Sequence, residues 1–236
     1  MSGINISQIH KLLFNDLLDF LYPPICIVTS NKLPKSNSNN FVDDNILKSL
    51  TTIDKHSLNQ ISAKLLCDKV ISLFRFEDGS DLQTIIHHLK YKKMSKLGFV
   101  LGSLLASELS TLDEIGSYVL LPVPLHKLKE KERGYNQSEF IARGISKVLN
   151  IDVNVDLVKR TKYTQSQTKL NQTERELNVM DAFTLTNPQK SSHDVKNVII
   201  IDDVITTGAT INEVTKVLRN KTGINKIVAA SIAIAH

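Results

Sequence analysis

The run Val198–Ile201, four β-branched apolar residues closed by Asp202 and Asp203, constrains the fold of this chain more than any other segment. A stretch with no polar face fits a strand covered on both sides, the usual situation in a parallel sheet. Its surroundings agree. Ser117–Val123 is a second short apolar run, closed by Pro122 and Pro124, and Lys226–Ala235 reads as a last strand. Ser138–Leu149 and Thr210–Asn220 have helical spacing and lie between the strands, with the first strand of this region predicted over Ser117–Val123 and the next over Val195–Ile201. Strands separated by helical segments imply βαβ units, hence an α/β fold with a mostly parallel sheet flanked by helices.

The amino-terminal part is less regular. Residues 4–21 place apolar side chains at helical spacing until Pro23 and Pro24 stop the pattern. Thr29–Asn45 has the Ser, Asn, Lys and Asp content of a solvated loop, and residues 46–75 read as helix with polar breaks. From Leu82 two helical stretches follow, separated near Lys92–Ser95. The expected division is an appendage over 1–80 and a main domain over 81–236. A hydrophobic content of 42 % fills a core without staples. Cys26 and Cys67 form no C-x-x-C pair, so neither a disulfide framework nor a cysteine-rich zinc site is read from them. Asp16 and Asp19 interrupt the first apolar stretch, which lacks a basic start and a cleavage site, and no run approaches the roughly 18 apolar residues of a membrane span. The expectation is a cytoplasmic protein without membrane insertion. A net charge of +5 permits an anionic substrate or a nucleic acid and requires neither.

Ligands of open parallel sheets collect beyond the carboxyl ends of the strands, which points to Asp202 and Asp203. Adjacent carboxylates at the end of a buried strand lose hydration and repel each other, so a ligand with paired hydroxyls or a metal is expected to meet them. After Val204 and Ile205 come Thr206, Thr207, Gly208, Ala209 and Thr210, small residues that let the backbone wrap an anion at the start of a helix. Acid pair, two apolar residues and an anion cradle suit vicinal hydroxyls close to a phosphate, the pattern of a ribose 5-phosphate. No G-x-x-x-x-G-K-[ST] loop is present, which removes the P-loop nucleotide reading.

The segment VIIIDDVITTGAT, together with LKY at Leu89–Tyr91, LPVPLHKLKEKERGYNQSEFIARGIS at Leu121–Ser146 and RTKYTQSQTKLNQTERELNVMDAF at Arg160–Phe183, resembles the type I phosphoribosyltransferases, and within them the competence protein F (ComF/GntX) family. The resemblance runs from about Leu82 to the carboxyl end and implies the type I phosphoribosyltransferase fold. It implies that Asp202 and Asp203 hold the ribose 2- and 3-hydroxyls of 5-phosphoribosyl-1-pyrophosphate (PRPP) and that Thr206–Thr210 hold its 5-phosphate. Pro122, Val123, Pro124 and Leu125 look like the pyrophosphate loop, and Arg133 is placed to pair with phosphate oxygens through its planar fork. Gly134 beside it suits close backbone approach. Arg160–Arg175, with Arg160, Lys162, Gln165 and Lys169 and hardly an apolar anchor, is expected to be a mobile loop resembling the family's active-site hood. Lys90, Tyr91, Lys92 and Lys93 add positive charge near the sheet, which leaves contact with phosphate or nucleic acid open beside the preferred reading of a solvated helix face, and His87 and His88 read as packing or surface residues.

Many members of the family begin with a small zinc module of two C-x-x-C pairs. Here Cys26-Ile-Val-Thr29 follows LDFLYPP, the later pair falls near Val42–Asn45, and one thiolate cannot close a tetrahedral site. The expectation is therefore a small helical appendage lacking that module, with no zinc. Magnesium is expected with the substrate, bridging its oxygens. The resemblance implies a phosphoribosyltransferase acting on an unidentified acceptor, in a family tied to natural transformation and DNA uptake. It leaves a second reading open, a non-catalytic PRPP sensor or single-stranded-DNA-binding competence protein, with other competence proteins as partners.

Overall fold

The computed structural model describes residues 22–163, 179–186, 195–221 and 223–235 and divides into two compact units, 1–50 and 51–236. The predicted helix over 4–21 lies outside the described residues.

In the first unit the polar stretch is not an open loop. The amide of Cys26 donates to Asn31 O (2.8 Å) and that of Ile27 to Phe41 O (2.9 Å), which lays two turns side by side. Asn39 Oδ1 accepts from the amides of Phe41 and Val42 (2.9 and 2.8 Å), and Cys26 accepts from Val28 and Thr29 at the same two offsets. The turn that mirrors Cys26–Thr29 is therefore Asn39–Val42, not Val42–Asn45. Cys26, Leu33 and Val42 are buried between these turns. Burial by itself would raise the Cys26 thiol, but donors from Thr29, Asp43 and Val28 outweigh it and hold the thiol below its ordinary value. A short helix, α1 (Asp44–Ser49), follows, capped by Asp43.

The second unit opens with α2 (Lys55–Ser62), capped by Asp54, and then the strand β1 (Lys69–Phe76). This strand falls where the sequence pattern predicts helix, so the main fold begins before residue 81. The reason is nonlocal: β1 pairs in parallel with β6 (Lys226–Ala235), Val70 facing Ala229 and Phe74 facing Ala233, and that pairing overrides a weak local pattern. Between them run α3 (Asp81–Tyr91), α4 (Ser95–Leu109), β2 (Tyr118–Pro122), α5 (Lys127–Arg133), α6 (Gln137–Leu149), the antiparallel pair β3 (Val158–Arg160) and β4 (Phe183–Leu185), β5 (Asn197–Ile205) and α7 (Ala209–Lys221). The main sheet has the order β1-β6-β5-β2, with every pair parallel.

Alternation along β5 explains the layers. Val198 and Ile200 join the cluster built by Ile211, Val214 and Leu218 of α7 and by Val158, Phe183 and Leu185 of the small sheet. The residues between them face the opposite side, where α4 and α6 pack on the strands. Those two helices meet along glycines: a Cβ at Gly102 would stand 2.1 Å from Ile141 O, and one at Gly144 2.4 Å from Phe99 O. Among the described residues no helix is long and apolar enough to cross a membrane.

Candidate active site

Strand β5 extends through Asp202 and Asp203 to Ile205, so the acid pair lies within the strand rather than after it. Beside it, β2 ends at Pro122, whose partner across the ladder is Ile201. The amide of Val123 donates to Ile201 O (2.9 Å), and this bond holds the Pro122–Leu125 turn against the root of the acid pair. Asn136 caps α6 by accepting from the Ser138 amide (3.1 Å) and donates through Nδ2 to Val123 O (3.0 Å), fixing the turn from the other side.

The segment expected to form the cradle follows β5 and encloses a small cavity. Asp202, Val204 and residues 205–210 bound a cavity of about 60 Å³ at the start of α7. Gly208 has φ +78, a conformation L side chains rarely adopt, and a Cβ there would run into Leu65. Thr206 is exposed and Thr207 and Thr210 half-buried, so all three hydroxyls are available to a ligand; Thr207 Oγ1 accepts from the Ala209 amide at 3.4 Å.

Asp202 Oδ1 accepts from the Asp203 amide (2.9 Å) and from Ser138 Oγ (3.3 Å). Burial and then the charge of Asp203 raise the Asp202 carboxyl to about 7, against the lowering effect of Lys90 and those two hydrogen bonds. Asp203 is buried, its Oδ1 lies 3.0 Å from Lys90 Nζ, and its Oδ2 has no hydrogen-bond partner. Lys90 is therefore not on a solvated face: α3 delivers it into the site.

Other cations converge on the same place. Arg133, the last residue of α5, lies over the Tyr91 ring at 5.4 Å. Arg160 belongs to strand β3 rather than to a loop, and its guanidinium lies over Phe183 at 5.2 Å, within the field of Asp202 and Arg133. Lys129, not among the expected site residues, is depressed to about 8, first by burial and then by Arg160, Arg133 and Lys90, with Glu132 opposing. Its signal was present as the i, i+4 spacing of Lys129 and Arg133 on one helix face. Gly134 has a different reason from the one inferred: it caps α5 in a left-handed conformation (φ +84), and a Cβ there would meet nothing within 4 Å. Tyr135 donates its hydroxyl to Leu89 O, tying the α5–α6 connection to the end of α3. Lys162 is exposed and reaches Met180 O (3.0 Å), while Gln165 and Lys169 lie outside the described residues. His87 and Tyr91 are exposed ring neighbours, and no group of three or more His, Cys, Asp or Glu side chains placed to hold a metal occurs among the described residues.

A parallel sheet with an acid pair and a phosphate-sized cradle at the carboxyl end of one strand, beside a proline turn on the next, is matched over residues 94–233 by the phosphoribosyl transferase domain. The chain belongs to that family. Within the family the relatives bear out the ComF resemblance. The chain is 39 % identical over 108 residues to competence protein F of Haemophilus influenzae, a match covering 46 % of each protein. It is 31 % identical over 141 residues to the DNA utilization protein YhgH of Escherichia coli K12, covering 58 % of this chain and 60 % of that one. Competence protein ComFC of Bacillus subtilis is 34 % identical over 104 residues, 44 % of this chain and 39 % of that protein. The chain thus spans about half the length of the curated relatives it matches.

Proposed function

We propose that this protein binds PRPP carried with Mg²⁺ and transfers its phosphoribosyl group to an acceptor. One observation supports the reading most: the acid pair and the anion cradle occupy one strand end, and four cations, Lys90, Lys129, Arg133 and Arg160, gather around the acid pair. In this reading residues 206–210 hold the 5-phosphate, Asp202 and Asp203 accept from the ribose hydroxyls, and the Pro122–Leu125 turn faces the pyrophosphate. The magnesium arrives on the substrate and neutralises part of its charge. As pyrophosphate leaves C1, positive charge develops on the ribose ring. Carboxylates beneath the ribose and cations around the departing group then stabilise opposite ends of one transition state. The cations are partly desolvated before substrate arrives, so little reorganisation is needed when charge separates.

Calorimetric titration of PRPP with Mg²⁺ tests the cation side. Arg133→Ala is expected to weaken binding by roughly ten- to a hundredfold, the usual range for losing one charged hydrogen-bonding partner of phosphate. Unchanged affinity in that variant would remove Arg133 from the site.

A second reading rests on the rim of the cluster. Tyr91 is 50 % exposed beside Arg133, and Tyr163 is 46 % exposed beside His126 at 5.2 Å. Exposed aromatic rings at the rim of a basic cluster suit stacking of single-stranded nucleic acid, in line with the relatives' names in competence and DNA utilization. On this reading the protein works in the cytoplasm on incoming DNA, with or without turnover of PRPP. Oligonucleotide binding that falls steeply with added salt is its signature.

A further inference from the structure

We propose that Lys90 is a positioning residue of the acid pair: delivered by α3 from outside the matched domain, its ammonium holds Asp203 Oδ1 by a direct ion pair and leaves Asp203 Oδ2 as the acceptor still to be met by a sugar hydroxyl. The inference rests on the ribose-phosphate reading of the site. It adds a functional element that the domain match, which begins at residue 94, does not contain.

The geometry is specific. Lys90 Nζ stands 3.0 Å from Asp203 Oδ1, with the Lys90 side chain 23 % exposed and that of Asp203 4 %. A carboxylate that deep is costly unless an opposite charge meets it directly. Parity along β5 places Asp203 with Ile199 and Ile201, on the face opposite the α7 cluster. Helix α3 is held firmly there. Leu82, Ile85, Ile86 and Leu89 are buried, and the Tyr135 hydroxyl donates to Leu89 O, one residue before the lysine. Lys92 and Lys93, just beyond the helix, are exposed and form no ion pair with the acid pair.

The two carboxylates cannot both ionise cheaply, so whichever is neutralised by a fixed cation sets the behaviour of the other. The groups facing them are Lys90 from α3, Lys129 and Arg133 from α5, Tyr135 after it, Ser138 from α6 and Arg160 from β3. Lys90 pairs with Asp203, and it also lowers the Asp202 carboxyl, opposing the burial and the Asp203 charge that raise it. Losing Lys90 therefore removes the direct partner of one acid and an attractive field from the other.

The test uses the full chain carrying ¹³C-labelled aspartate, free of ligand, as wild type, Lys90→Met and Lys90→Arg, with circular dichroism to confirm folding. The Asp202 carboxyl is expected to titrate near 7 in the wild type. In Lys90→Met its midpoint should rise by about one pH unit, and Lys90→Arg should restore it. Calorimetry with PRPP and Mg²⁺ follows the same order: Lys90→Met should bind about fivefold more weakly at pH 7 and approach the wild type at pH 9. An unmoved midpoint in Lys90→Met overturns the proposal. So does equal weakening at every pH, which would make Lys90 a direct phosphate contact. A shifted midpoint in a protein that binds no PRPP upholds Lys90's hold on the acid pair and refutes the ribose-phosphate reading instead.

Discussion

Gly102→Ala is expected to destabilise the second unit by about 3 kcal/mol, and to lower its melting temperature by roughly 6–12 °C. A glycine-to-alanine change inside a helix normally gains up to about 1 kcal/mol of helix propensity. At this position the new Cβ would stand 2.1 Å from Ile141 O and 3.1 Å from Gly144 Cα, and both are backbone atoms that no rotamer change moves. Helices α4 and α6 would have to separate, opening the layer over β2 and β5 on which the site is built. Gly116→Ala is the control: a Cβ there meets nothing within 4 Å, and thermal unfolding should be nearly unchanged. Equal melting temperatures for Gly102→Ala and the wild type would show that the two helices are not in backbone contact.

Asp202→Asn is expected to stabilise the folded protein above neutrality and to do nothing for it in acid. The Asp202 carboxyl is raised from 3.8 to about 7 in the folded state, because burial and the neighbouring Asp203 disfavour its charge. A group raised in this way supports folding fully below about 4 and loses that support as pH climbs through 7. The loss amounts to something on the order of 4 kcal/mol by pH 8. Asparagine keeps an oxygen for the Asp203 amide and Ser138 Oγ and removes the charge. Denaturant unfolding at pH 4 and pH 8 reads the difference directly. Identical pH dependence in wild type and variant would mean that Asp202 ionises without strain and stores nothing for a ligand.

The acid pair and the cradle were legible because they are local: a buried strand, two carboxylates and a run of small residues follow one another within a single segment. The strands at 118–122, 197–205 and 226–235 were legible for the same reason, since a continuous apolar run has few alternatives. What the sequence hid is nonlocal. Strand β1 is defined by a partner at the opposite end of the chain, and KVISLFRF by itself does not distinguish strand from helix. Lys90 sits in a helix whose polar residues look like any solvated face, and only the register of α3 against β5 turns it toward Asp203. Arg160 was read as part of a mobile basic loop because the residues after it are polar, but pairing with Phe183 places it on a strand. The Asn-rich stretch near the beginning has loop composition, yet the side chains of Asn37 and Asn39 bond to the backbone of Val42 and close the turn that buries it.

The most direct test of the account is calorimetric titration of PRPP with Mg²⁺ into the wild type and into Asp202→Asn/Asp203→Asn, with circular dichroism confirming that both are folded. The expected result is saturable binding by the wild type and none by the folded double variant. Binding by both proteins with equal affinity, or by neither, would contradict a ribose-phosphate site at the end of β5.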